Sequence, residues 1–217
     1  MREEEAQLRE LILRLAQRML ALGLVTGTSG NLSGREPGSE RIIITPSGVD
    51  YETMRPEQLV AVDQNGKAVE PGMKPSVDTM NHVAIYRARP DVNGVVHTHS
   101  PYAAAFSTLP EPIPPLITEA AGYLGGPVRV MEYLPPASPE LAGRLAVGLG
   151  GDRAILLPNH GVMAVGESAA KAFHAAMSVE ESARVAWIAR LLGRPHLVPD
   201  AEVARMHEFI HHRYGQR

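Results

Sequence analysis

The sequence predicts an α/β domain in which helices cover a sheet. Three observations predict this fold class: short apolar runs typical of buried strands, longer amphipathic runs typical of helices, and the alternation of the two along the chain. With 217 residues the chain is long enough to bury a full core, and we expect one domain spanning residues 1–217. The sequence contains neither an internal repeat nor a low-complexity linker.

The first third of the chain predicts one long helix followed by short strands. Residues 4–22 carry apolar side chains at helical spacing, and Gly23 follows as a C-cap. Residues 41–44 and 60–63 are apolar runs typical of buried strands. The stretch 26–34 is rich in glycine and hydroxyl side chains, and its pattern fits either an ordinary tight turn or a phosphate cradle.

The remainder of the chain continues the alternation of strands and helices. Helical spacing predicts further helices over residues 76–89, 102–109, 139–148, 168–192 and in the tail from Pro199. Apolar runs predict strands at Val95–Val96, 128–130, 154–157 and 162–166. In the longest of these helices we expect Trp187 and Ile188 to be core residues. His207 and His211 in the tail are spaced i, i+4, which fits a solvated polar face or a metal pair.

Two histidines stand at alternate positions at the end of a predicted strand. Side chains two residues apart on a strand point to the same face, so His97 and His99 point the same way. Two imidazoles on one face make half of a metal site, because neutral imidazole is a common ligand of zinc and other late first-row metals. The alternative of two solvated histidines on a surface strand stays open at this point.

Composition narrows the chemistry. The chain has no cysteine, so it has no disulfide and a metal site must use nitrogen and oxygen ligands. A formal net charge of −3 without a basic run gives no indication of a nucleic-acid or membrane partner. No apolar run reaches the roughly 20 residues of a membrane-spanning helix. The acidic first residues are not typical of a signal peptide, and we expect a cytoplasmic protein.

Five motifs, in order along the chain, resemble the class II aldolase/adducin family. They are Gly30-Asn31, Thr45-Pro46-Ser47-Gly48, the Ser76…Asp78…His82 stretch, Val95-Val96-His97-Thr98-His99 and Asn159-His160-Gly161. The resemblance covers nearly the whole chain. It implies a three-layer fold with a central, mostly antiparallel sheet flanked by helices on both faces. It also implies a homotetramer with active sites between subunits, acting on a small sugar phosphate.

The resemblance also implies roles for individual residues. It implies that Zn²⁺, or another divalent ion such as Mn²⁺ or Co²⁺, is held by His97, His99 and His160. It implies a substrate phosphate pocket made by Gly30, Asn31, Ser47, Gly48 and Ser76. It implies three catalytic residues, of which the last two come from a neighbouring subunit: Asp78, Glu119 and Tyr214.

Two departures from the family pattern leave the reaction open. The family's aldolases usually carry glutamate and serine where this chain has Asp78 and Val77, whereas its L-ribulose-5-phosphate 4-epimerases carry aspartate. The later motifs are most similar to the L-fuculose-1-phosphate aldolase type. The expected function is therefore reversible cleavage of a ketose 1-phosphate to dihydroxyacetone phosphate and a short aldehyde. A 4-epimerase, a methylthioribulose-1-phosphate dehydratase and a non-catalytic adducin-head-like module are the alternatives.

Overall fold

The structure, a computed structural model, describes residues 3–214, so the outermost ends of the predicted domain lie outside the described residues. The helices are α1 (Glu3–Ala21), α2 (Thr79–Ala88), α3 (Pro101–Ser107), α4 (Thr118–Leu124), α5 (Pro139–Leu149), α6 (Ala169–Leu192) and α7 (Asp200–His212). The strands are β1 (Asn31–Gly34), β2 (Ile42–Ile44), β3 (Val60–Val62), β4 (Gly94–Thr98), β5 (Ala154–Leu157) and β6 (Gly161–Gly166). A short 3₁₀ turn, Pro56–Gln58, precedes β3.

The strands form one sheet in the order β3-β2-β1-β4-β6-β5. Every neighbouring pair in this order is antiparallel. The predicted antiparallel sheet is therefore confirmed. In the described part of the chain, no helix is both long and apolar enough to cross a membrane.

Both faces of the sheet are buried, because a layer of helices covers each face. The side chains of the strands point alternately into the two layers. Ile43 and Val96 belong to the core formed with α1, α3 and α6. Their neighbours Ile42, Ile44 and Val95 belong to the core formed with α2 and α5. Since successive strand residues point to opposite faces, a strand buried on both sides is a continuous apolar run. The predicted three-layer α/β fold is confirmed.

Four local predictions differ from the structure. Strand β1 begins inside the stretch predicted as a turn or cradle, because Asn31 pairs with His97 of β4. Helix α4 was not predicted. The predicted strand 128–130 makes only isolated bridges. Trp187 and Ile188 are 49% and 38% exposed, so their assignment to the core is wrong. The alanine-rich side of α6 packs on the sheet, and these two positions fall outside it.

Candidate metal centre

The topology brings the three predicted histidine ligands to one edge of the sheet. Strands β4 and β6 are antiparallel, with Thr98 opposite Val162. The end of β4, which carries His97 and is followed by His99, therefore lies beside the start of β6, which His160 precedes. Their donor atoms all lie within 4.8 Å of one another, so the three residues form a cluster that could hold a metal ion.

The imidazole nitrogens converge at metal-ligand spacing. The Nε2 atom of His97 lies 3.0 Å from that of His99 and 3.2 Å from that of His160. A tetrahedral zinc ion with bonds of roughly 2.0–2.1 Å holds its ligand nitrogens roughly 3.3 Å apart. His97 donates from Nδ1 to the carbonyl oxygen of Val162 at 2.8 Å, which leaves its Nε2 unprotonated. The donor set therefore fits a zinc-type ion.

Burial keeps these imidazoles in the neutral form that binds metal. Desolvation lowers the pKa of His97 to about 3, and it also lowers the pKa of His99 and of His160. A neutral ring needs no deprotonation before it coordinates a cation. The site is therefore ready to bind an ion at neutral pH.

We expect the metal-free protein to lose stability between pH 7 and pH 5. Desolvation lowers the pKa of His82 to about 4 and that of His97 to about 3 from an ordinary value of 6.5. As the pH falls, the unfolded chain therefore binds these protons before the folded protein does. The stability that is present above pH 6.5 is lost as the pH falls below that value. Linkage gives a loss of about 2 kcal/mol for each histidine over this interval.

Urea unfolding in the presence of a chelator at several pH values measures this loss. A His82→Gln variant serves as the control. It lacks one of the titrating histidines, so its unfolding free energy should fall less between pH 7 and pH 5, by the contribution of that one histidine. An unfolding free energy that does not change between pH 7 and pH 5 would contradict the prediction.

A strained turn places His160. Asn159 has a left-handed φ of 55°, and its N–H donates to the carbonyl oxygen of Ser107 at 3.1 Å. Gly161 follows, and a Cβ there would overlap the carbonyl oxygen of Thr98 and lie 3.2 Å from Cδ2 of His99. The glycine thus lets the turn approach β4 closely enough for the three rings to meet.

Replacing Gly161 by alanine is expected to weaken zinc binding by about tenfold or more. The added methyl group meets backbone rather than a flexible side chain, so the turn must move away from β4. Isothermal titration with zinc measures the change. Alanine at Gly143, where a Cβ meets nothing within 4 Å, provides the matched control. Equal zinc affinity in the two variants would contradict the role assigned to the turn.

Asp78 is buried close to the histidines and is held by two amides. Its Oδ2 accepts from Nδ2 of Asn31 at 2.8 Å, and its Oδ1 accepts from Nδ2 of Asn81 at 3.1 Å. Burial disfavours the ionised carboxylate, but nearby His97 and the Asn31 hydrogen bond outweigh burial and lower the pKa of Asp78. A fixed carboxylate beside a cation site has the arrangement of a general acid–base group.

The residues predicted to bind phosphate lie in loops around the same edge of the sheet. The Ser47 and Ser76 loops are tied together, since Ser47 N–H donates to Lys74 O and Ser76 N–H to Thr45 O. Tyr51 donates to the carbonyl oxygen of Gly30 at 2.8 Å, which fixes the turn before β1. Ser47 and Gly48 are exposed, whereas Asn31 and Ser76 are buried. No prediction from sequence had included Tyr51 or Asn81.

Glu119 and Tyr214 lie elsewhere on the subunit. Glu119 is exposed on α4, and Tyr214 is 71% exposed just after α7. Among residues 3–214, no hydrogen bond joins either side chain to the histidines. Helix α7 packs against α4 through His207 and His211, which hydrogen-bond the carbonyl oxygens of Gly122 and Tyr123. Both histidines are partly buried in this contact, so the solvated polar face predicted for them is wrong.

Comparison with known proteins decides the family. The model of the "Class II Aldolase and Adducin N-terminal domain" family matches residues 10–187. The chain belongs to this family. Class II aldolases are metal-dependent, and the histidine group described above is a cluster able to hold the ion.

Relatives in the class II aldolase family carry more than one activity. The chain is 34% identical over 200 residues to a 5-deoxy-D-ribulose 1-phosphate aldolase of Bacillus thuringiensis serovar kurstaki, covering 91% of this chain and 92% of the relative. It is 39% identical over 181 residues to the L-ribulose-5-phosphate 4-epimerase UlaF of Salmonella paratyphi C, covering 77% and 78%. A solved L-fuculose 1-phosphate aldolase superposes with a TM-score of 0.89 at 32% identity, covering 94% and 96%.

Proposed function

We propose that the protein is a metal-dependent aldehyde-lyase that reversibly cleaves a ketose 1-phosphate of the L-fuculose 1-phosphate type. The products are dihydroxyacetone phosphate and a short aldehyde. The observation that carries the proposal is the convergence of three neutral imidazoles beside the buried carboxylate of Asp78. The aldolase relative that matches over nearly the full length of both chains supports the same reaction.

In the proposed reaction the C3–C4 bond of the ketose breaks and its electron pair stays on C3. A zinc-type ion held by His97, His99 and His160 would polarise the C2 carbonyl and stabilise the enediolate charge. Asp78 gives a proton to C3 of the enediolate as dihydroxyacetone phosphate forms, and takes it back in synthesis. The resting Asp78 is ionised, so the proton it gives comes from the C4 hydroxyl: Tyr214 of a neighbouring subunit relays that proton to the Asp78 carboxylate in cleavage and back to the aldehyde oxygen in synthesis.

The substrate phosphate is proposed to lie in the loops of Gly30, Ser47, Gly48 and Ser76, together with the Asn31 amide. Glycine turns expose backbone N–H groups, and serine hydroxyls add further donors to an anion. Gly30 and Gly48 have φ values of 70° and 68°, a conformation that favours glycine. The Val77 side chain supplies no donor where the family's aldolases have serine, so it offers the substrate phosphate one hydrogen bond fewer.

A second candidate is a 4-epimerase that uses the same bond cleavage, turns the aldehyde and rejoins it. The 39% identity to an epimerase and the carboxylates Asp78 and Glu119 favour it. Assays with L-fuculose 1-phosphate and L-ribulose 5-phosphate, side by side, separate the two. No cleavage of the first compound would rule out an L-fuculose-1-phosphate aldolase. A methylthioribulose-1-phosphate dehydratase would instead eliminate water, and protein purified without bound metal would point to the non-catalytic module.

We also propose a homotetramer whose active sites lie between subunits. Exposed apolar side chains support it, because they gather near the end of α6: Trp187, Ile188, Leu191 and Leu192. Next to them lies a groove of about 670 Å³ lined partly by Leu22, Tyr102, Met177 and Ile188. Glu119 and Tyr214 are also exposed and free to reach a neighbouring subunit.

A Trp187→Glu variant is expected to dissociate this assembly. A charge buried at an apolar subunit contact has no partner and disfavours association. Light scattering should give the mass of four chains for the wild type and a smaller mass for the variant. Glutamate at the exposed Val147 on α5, far from this patch, is the control. A monomeric wild type would overturn the tetramer while leaving the histidine geometry intact.

A further inference from the structure

A line of buried polar side chains joins strand β1 to helix α2 behind Asp78. On β1, Asn31 and Ser33 are two residues apart and share a face of the sheet. At the start of α2 and along it, Asp78, His82 and Tyr86 are four residues apart and share a side of the helix. Each of the five is at most 7% exposed. The two periodicities therefore place the five side chains in register between the sheet and the helix.

The five side chains form an unbroken chain of hydrogen bonds. Asn31 Nδ2 lies 2.8 Å from Asp78 Oδ2, and Asn31 Oδ1 lies 2.6 Å from His82 Nε2. His82 Nδ1 lies 2.7 Å from Ser33 Oγ, which in turn lies 2.8 Å from the hydroxyl oxygen of Tyr86. The chain therefore runs from the interior of the sheet–helix layer to the carboxylate at the metal centre.

The carboxylate fixes the direction of every bond in the chain. An ionised Asp78 only accepts, so the Asn31 nitrogen must face it and the Asn31 oxygen must face His82. That oxygen also only accepts, so His82 carries its proton on Nε2, and its bare Nδ1 accepts from Ser33. The Ser33 oxygen then accepts from the hydroxyl of Tyr86. A reversed amide would set two acceptors against each other in a buried place, which is costly.

We propose that His82, Ser33 and Tyr86 are positioning residues that lock the Asn31 amide with its nitrogen towards Asp78. The lock holds the carboxylate in one orientation and leaves the second amide hydrogen of Asn31 free to donate to substrate. Stability alone does not require these buried polar residues, because well-packed apolar residues would stabilise the layer between sheet and helix equally well. Its effect on turnover rests on the proposed function, in which Asp78 moves the proton.

A Ser33→Ala variant tests the effect on turnover. It removes the partner shared by His82 and Tyr86, and we expect kcat to fall about tenfold with the KM for the ketose phosphate nearly unchanged. Ser138→Ala is the control, because it deletes a helix-capping hydroxyl at the start of α5 and lowers the melting temperature away from the site. An equal kcat for the two variants at equal destabilisation would overturn the proposal.

Substitutions of His82 ask whether the donor and acceptor matter or only the volume. His82→Gln keeps an N–H donor and an oxygen acceptor, whereas His82→Met keeps the volume alone. We expect the glutamine variant to retain about tenfold more kcat than the methionine variant. Equal losses in the two variants would assign His82 a packing role and overturn the proposal.

Nitrogen NMR of histidine-labelled, chelator-treated protein tests the chain without any turnover. The His82 signals are assigned by their loss in His82→Gln. At pH 7 we expect a neutral ring protonated at Nε2, and the opposite tautomer or a charged ring would overturn the proposal. Failure of the proposed function shows separately, as absence of cleavage of every ketose phosphate by the wild type. In that case the tautomer alone decides whether the chain has the assigned direction.

Discussion

Replacing His160 by alanine is expected to abolish cleavage of the ketose 1-phosphate, with a loss of about 10³-fold or more in kcat/KM. A metal ion that polarises a carbonyl contributes several kcal/mol, and each 1.36 kcal/mol is tenfold in rate. Two imidazoles, His97 and His99, are too few to hold the ion firmly. The fold should survive, because His160 is only half-buried and its backbone N–H still donates to Leu157.

The metal content of purified protein and the rate of dihydroxyacetone phosphate release measure the two effects together. His196→Ala removes an exposed histidine and is the control for the loss of one imidazole. Excess zinc should restore part of the activity of His160→Ala, because a weakened site fills by mass action. An inactive His160→Ala protein with full metal content would contradict the ligand role and leave His160 as a substrate contact.

The helices and strands of this fold were predictable because apolar residues recur in the sequence with the spacing of each element. Apolar runs such as Ile42–Ile44 are buried on both faces, so they signal strands even without polar alternation. Strand β1 was not predictable in this way, since Asn31 and Ser33 are polar residues buried by hydrogen bonds rather than by apolar contacts. Strand β1 forms because β2 and β4 pair with it on either side, and residue propensities do not include such tertiary pairing.

The candidate site was predictable only in part, because its residues lie far apart in the sequence. The period of two along β4 indicates that His97 and His99 share a face. Only the pairing of β4 with β6 brings His160 to them, and local pattern does not give strand order. The bond between Asn31 and Asp78 spans 47 residues and depends on the same order. The roles of these residues, and one domain over residues 1–217, stay predictions.

His82 shows what local spacing offers and what it hides. Asp78 and His82 are four positions apart, as are His82 and Tyr86, so the sequence places them on one side of a helix. That pattern alone fits a core histidine equally well. Only the polar face of β1 opposite it turns the spacing into a hydrogen-bond chain.

Replacing Asp78 by asparagine is expected to lower kcat by about 10²–10⁴-fold while the metal content stays at the wild-type level. General acid–base groups contribute a factor of this size, and an amide of the same shape cannot take up the proton. Metal analysis and steady-state kinetics on the same preparation separate the two effects. Asp152→Asn removes a carboxylate that pairs with Arg129 near the start of β5 and is the control. Loss of the metal together with activity would contradict the proton-transfer role.

The Asp78→Glu variant tests whether the site is adapted to the shorter acid. Glutamate adds one methylene, roughly 1.5 Å of reach, and a misplacement of about 1 Å costs on the order of 10²-fold in rate. Both oxygens of Asp78 are bonded to amides in a site where the side chain is 7% exposed, so a longer side chain has no room to keep them. We therefore expect a loss near 10²-fold on the true substrate. If cleavage of L-fuculose 1-phosphate rises instead, the wild-type site is built for a different ketose phosphate, because the glutamate would have restored the aldolase geometry that Asp78 lacks.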